Sequence, residues 1–169
     1  ESFKDFEGSS DAGENTGCGY KTGHFVSTGI NNTFVGSLSG YGLSGTPLTG
    51  SHNTAVGQHS GFLLQGAANS NTLIGYNAGD AVTTATENTC LGFEAGTAII
   101  GGGYNTSIGS YTSGTLTTGN FNVVIGRSAD VSALGAENQI VIGKSTTGLA
   151  DNSVTLGNVD VNSTFLASG

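Results

Sequence analysis

The amino-acid sequence predicts an all-β chain wound as a parallel β-solenoid, about 17 residues to the coil. Three observations predict it. A phrase recurs at nearly constant spacing, an alternating triplet inside each copy reads as a short strand, and a Gly closes every triplet. SNTLIGYNAG (70–79) returns as NNTFVGSLSG (31–40), HNTAVGQHSG (52–61) and ENTCLGFEAG (87–96). Aligned on the Asn, the copies fall at Asn15, Asn32, Asn53, Asn71, Asn88, Asn105 and Asn122, in steps of 17, 21, 18, 17, 17 and 17 residues. Weaker copies are expected at Asn138 and Asn152, where the step shrinks to 16 and then 14. A catalytic motif needs to occur once. A phrase repeated at this spacing describes the coil itself.

Taken in chain order, residues 1–14 hold five of the twelve acidic residues and are expected to form a connector or cap. Residues 15–137 form the solenoid, and 138–169 form degenerate short-period repeats leading toward a following module. Within a repeat, the position three after the Asn reads Cys18, Val35, Val56, Ile74, Leu91, Ile108 and Ile125, and it is never polar. The position one after it is Thr from Thr16 to Thr106, then Val123. Strand alternation puts these two columns on one face, expected to point into the coil. The middle column, Gly17, Phe34, Ala55, Leu73, Cys90, Ser107 and Val124, is then expected to face outward as a sticky stripe.

The remaining columns read as turn chemistry. Gly follows the strand without exception from Gly19 to Gly126. A second Gly recurs at Gly23, Gly40, Gly61, Gly79 and Gly96, slips to Gly114, and gives way to Asp130. Gly supplies positive φ where the chain turns sharply. Small residues at Thr22, Ser39, Ser60, Ala78 and Ala95 mark a tight corner, and the stacked Asn amides are expected to bond coil to coil. The segment Tyr41 to His52, with the only Pro, lengthens one repeat by about four residues and reads as a surface loop.

Composition excludes several classes. Gly is 30 of 169 residues, without a three-residue period, which excludes collagen. A net charge of -8 with four Lys and Arg opposes nucleic-acid binding. No apolar run approaches the roughly 18 residues of a membrane span. The chain opens at Glu1 and contains no Met, which points to a piece of a longer polypeptide. Cys18 and Cys90 lie four repeats apart, about 19 Å at the spacing of β-strands, too far for a disulfide, and are expected to be small buried side chains.

The unit N-T-x-Φ-G-x-x-A/S-G, over about residues 15–157, resembles the head repeats of trimeric autotransporter adhesins and the related repeats of bacteriophage tail fibres. NSVTLGN (152–158) is similar to the core of the autotransporter head unit. The resemblance implies a left-handed β-roll in a side-by-side homotrimer, on a cell surface or virion fibre, whose task is attachment to a cell surface, with glycans the expected ligand.

Single-copy chemistry is sparse. GYGLSG (40–45) lacks the helix and acidic partner of a dinucleotide site, and IGKST (142–146) lacks the upstream Gly of a phosphate loop. His24, His52 and His59 gather no ligand set and read as exposed loop histidines. Glu87, Glu94 and Glu137 lie in different repeats or columns, while Asp80 and Asp130 read as turn residues, so no catalytic site, cofactor or metal is expected. Tyr20, Tyr76 and Phe93 share a rim column and are the candidate ligand-binding residues, either stacking on sugars or packing coil to coil. The expectation is therefore a non-enzymatic adhesive fibre segment outside the cell, acting by avidity. A passive stalk spacer and an ice-binding Thr ladder are the alternatives; the second is opposed by placing the Thr column beside an inward aliphatic column.

Overall fold

The structure is a computed structural model describing residues 13–161 and 163. The expected N-terminal connector lies outside the described residues except for Gly13 and Glu14. Among the described residues there are nine three-residue strands: β1 (Thr16–Cys18), β2 (Thr33–Val35), β3 (Thr54–Val56), β4 (Thr72–Ile74), β5 (Thr89–Leu91), β6 (Thr106–Ile108), β7 (Val123–Ile125), β8 (Ile140–Ile142) and β9 (Val154–Leu156). They form one sheet in chain order, every neighbour parallel. The expected parallel β-solenoid is present: each strand is one coil from the next, and equivalent residues of successive repeats pair rung on rung. At about 4.8 Å per rung the sheet is about 38 Å long.

The register corrects the last two repeats. Ile140 pairs with Val123, so the residue below Asn122 is Gln139, not Asn138, and that step is a full 17 residues. Val154 pairs with Ile140, which puts Ser153, not Asn152, in the same column after a step of 14. Asn138 and Asn152 instead occupy the positive-φ turn just before it, where the Asn138 amide donates to Asn152 Oδ1 at 3.0 Å. The inserted segment is the expected bulge: Leu43 to Thr46 are exposed and closed by a local antiparallel bridge.

The expected facing of the strands is reversed. Phe34, Ala55, Leu73, Cys90, Ser107, Val124 and Val141, the middle residues, are the ones buried inside the coil. The aliphatic column does stack in register, but on the outside: Ile74, Leu91 and Ile142 are 36%, 44% and 38% exposed. The cause is the Asn. It points inward, and alternation then sends the residue two further on to the same side. Across the coil, Val26, Leu48, Leu64, Val82, Ile99, Leu116 and Val131 complete the thin core.

The Asn column forms the predicted ladder, and every amide from Asn53 to Asn122 bonds on both sides. Asn88 Nδ2 donates to Asn71 Oδ1 (3.1 Å) and across the coil to the Gly102 carbonyl (2.8 Å). Its Oδ1 accepts from the Asn105 backbone N–H (3.1 Å) and Nδ2 (3.0 Å). The same pattern repeats at Asn53, Asn71 and Asn105, and at Asn122 the Oδ1 accepts only the Gln139 backbone N–H (2.9 Å); all four are buried. A buried amide normally carries a desolvation cost; here donors and acceptors are matched, so the cost is offset and the coil spacing is fixed.

Two glycine columns have distinct causes. The Gly after each strand has φ between +124 and +142 from Gly19 to Gly143. A Cβ at Gly92 would also lie 2.5 Å from the Gly109 carbonyl oxygen of the next coil. The second column faces the inward strand residue: a Cβ at Gly40 would meet Phe34, and one at Gly79 would meet Leu73. In the sixth repeat the equivalent residue is Ser113 (φ 54), not Gly114. Its inward neighbour is Ser107, and the two hydroxyls share a 2.7 Å hydrogen bond. A small polar pair thus replaces the glycine and large apolar pair.

Both cysteines are free, and only one is buried. Cys18 is exposed on the outer face, contrary to expectation, because it shares the aliphatic column. Cys90 points inward, and burial pushes its thiol from 9.0 up to about 12. The folded chain holds the neutral thiol, so its stabilising contribution is full below 9.0 and is lost as pH rises toward about 12. Alkylation of the native protein at mildly alkaline pH is expected to label Cys18 and spare Cys90, with both labelled after denaturation. Equal native labelling would contradict the enclosed column.

Candidate functional site

The outward face of the nine-stranded sheet is a regular surface. Two parallel columns cover it. One reads Thr16, Thr33, Thr54, Thr72, Thr89 and Thr106, then Val123, Ile140 and Val154. The other reads Cys18, Val35, Val56, Ile74, Leu91, Ile108, Ile125, Ile142 and Leu156. Neither column contains a charged residue. The face therefore changes along its length, from Thr beside aliphatic over β1–β6 to aliphatic beside aliphatic over β7–β9. Soluble chains rarely leave so long an apolar strip uncovered unless something binds it.

The strip has two unlike rims at its β7–β9 end. Just past the closing Gly stand Arg127 and Lys144, both exposed, on successive coils. On the opposite rim, two residues before the inward column, stand Glu137 and Asp151. The Asp151 carboxylate accepts from the Glu137 N–H at 2.9 Å, and the Glu137 carboxylate accepts from Asn120 Nδ2 at 2.8 Å. Lys144 and Glu137 belong to the same coil, one on either side of β8.

The candidate aromatics lie on the first of these rims. Tyr76 and Phe93 stack at 5.1 Å with 16° between planes, and Phe93 meets Tyr111 edge-on at 5.3 Å. His59 continues the series above Tyr76 at 6.5 Å. The Tyr20 ring carries Lys21 Nζ at 5.5 Å from its centroid. Stacking along the solenoid covers ring faces and leaves edges to solvent, whereas a sugar stacks on a free face. The geometry assigns Tyr76 and Phe93 a coil-to-coil packing role. A second ladder, Tyr104 on Phe121 at 4.9 Å, does the same on the other rim.

The histidines differ from expectation. His52 is exposed, but His24 and His59 are half-buried in aromatic stacks, His24 lying parallel to Tyr41 at 5.3 Å. Among the described residues no three His, Cys, Asp or Glu gather as a metal site. Asp130 is a turn staple, its carboxylate accepting from the Thr115 hydroxyl (2.7 Å) and the Val131 N–H (2.9 Å). The Asp80 carboxyl is raised above the usual range, chiefly by burial, with Glu94 adding to it. No helix among the described residues is long and apolar enough to cross a membrane.

The fold defines a parallel β-solenoid repeat protein whose distinguishing surface is one flat sheet face. Beyond that class, comparison with known proteins gives no match to a family model, a curated protein or a solved structure.

Proposed function

We propose that the chain is a structural and adhesive segment of a homotrimeric fibre displayed outside the cell or on a virion. Left-handed winding and side-by-side packing of three parallel chains belong to this reading, as does attachment to a cell-surface glycan or receptor through repeated weak contacts. One observation carries it: an uncharged, mostly aliphatic strip runs the length of the outward sheet face, and identical copies share its rung spacing. Two parallel copies match it rung for rung, and a different partner has no such built-in match. Nothing in the reading requires catalysis. Light scattering on the purified chain is expected to return three times the 16.8 kDa chain mass. A clean monomer across the accessible concentration range would remove the reading. A glycan array separates an adhesive segment, which gives signals, from a passive spacer, which gives none.

Ice binding gains one favourable observation. The Thr column of β1–β6 points outward, so its hydroxyls repeat at the rung spacing on a flat surface. That reading needs the face free of other chains and expects thermal hysteresis from the purified protein. Absence of hysteresis disposes of it.

A further inference from the structure

Resting on the fibre reading, we infer that the coils of β7–β9 are the seam through which copies of this chain join, parallel and in register in a closed ring, Lys144 of one copy facing Glu137 of the next. Three observations converge on these coils.

The first is the change in the outer face. From β1 to β6 a hydroxyl stands beside each aliphatic residue, and Thr serves water and neighbours equally. At Val123, Ile140 and Val154 the hydroxyl is replaced by hydrocarbon, while Ile125, Ile142 and Leu156 remain apolar beside it. Six branched aliphatics then share one patch, and Val154 is 62% exposed.

The second is what lies behind that patch. The inward residue of β9 is Thr155, whose hydroxyl is buried without a hydrogen-bond partner. The last described coil has its polar strand residue inside and its apolar ones outside. It gains little from its own interior. The patch is on the side of the stack, so a segment continuing the solenoid past β9 would cover the end and leave the flank open.

The third is charge. The two rims carry opposite signs, Arg127 and Lys144 on one side and Glu137 and Asp151 on the other, with Lys144 and Glu137 on the same coil. A two-fold axis perpendicular to the stack would invert one copy and destroy the parallel match of rungs, whereas a rotation axis along the stack preserves it. A cyclic arrangement brings the basic rim of each copy against the acidic rim of the next, and it closes. Exposed pairs contribute little affinity, but like charges placed together penalise a slipped register.

The test uses substitutions the fold already accepts. Val123→Thr, Ile140→Thr and Val154→Thr together extend the pattern of β1–β6 to the last coils. The triple variant is expected to keep the wild-type circular dichroism and to dissociate at about a hundredfold higher concentration in sedimentation analysis. The matched triple Val35→Thr, Val56→Thr and Ile74→Thr, at the other end, is expected to shift dissociation by less than about tenfold. The charge arm is Lys144→Glu, which weakens assembly, and Lys144→Glu with Glu137→Lys, which restores it. The inference is overturned if the wild type is oligomeric and the β7–β9 triple leaves it so, or if the charge exchange fails to rescue. A wild-type monomer overturns the fibre reading itself, which is a different result.

Discussion

Replacing Asn88 by Leu is expected to destabilise the chain by about 4 kcal/mol or more, because several buried groups lose partners at once. The Asn105 N–H and Nδ2, the Asn71 Oδ1 and the Gly102 carbonyl each bond to this one side chain. Leu has nearly the same volume, so the loss is polar and no cavity accompanies it. The position in the stack matters as much as the chemistry. A solenoid holds together through nearest-neighbour contacts, so a defect at the fifth of nine rungs uncouples the coils above from those below. Chemical denaturation is expected to lose its single transition and become biphasic. Asn15→Ala, at the half-buried first rung, removes the bonds to the Gly29 carbonyl and the Asn32 N–H and is expected to cost about 1 kcal/mol. Equal effects at the two positions would show that the ladder does not transmit stability along the stack.

Gly92→Ala is expected to be comparably severe, about 3–5 kcal/mol, from two additive sources. The backbone sits at φ +142, which an L side chain rarely adopts. The new methyl would also lie 2.5 Å from the Gly109 carbonyl oxygen, a main-chain atom that cannot swing aside. Relief requires the two coils to part, which stretches the Asn88–Asn105 hydrogen bonds nearby. Gly114→Ala is the control. Its Cβ would find nothing closer than the Asp130 Oδ2 at 3.8 Å, so the change is expected to be neutral or slightly stabilising. Thermal melts of the two variants decide the matter; similar melting temperatures would refute the close-approach explanation.

Much of the fold was legible because it is written in residues with narrow physical roles. Asn stacked on Asn and Gly stacked on Gly gave the period, the strand position, the turn and the insertion. The facing of the strand was misread, for an identifiable reason. The Thr and Val/Ile/Leu columns are the more regular pair, and regularity resembles a core. In this thin coil the inward position varies freely, from Phe34 to Ala55 to Ser107, since residues across the coil adjust to it. Two signals did point the right way. The Asn and the middle strand residue have the same parity, and an inward amide carries its neighbour inward. Ser113 and Ser107 change together in the sixth repeat, and their hydroxyls meet inside the coil. The candidate surface was harder to see. Thr16 to Thr106 were legible as a column, but the meeting of Lys144 and Glu137 on opposite sides of one coil requires the path of the chain. The register slip to Gln139 hid it as well, because Asn138 offered a false match one residue early.

The bulge at Leu43 to Thr46 has a practical corollary. The Asn32 and Asn53 amides meet at 3.0 Å even though 21 residues separate them instead of the usual 17. The chain therefore absorbs foreign length at this corner without disturbing the rungs on either side. A peptide epitope spliced there would be carried at a known height on a stiff rod, and whole repeats added elsewhere would alter the reach of that rod in steps of about 4.8 Å.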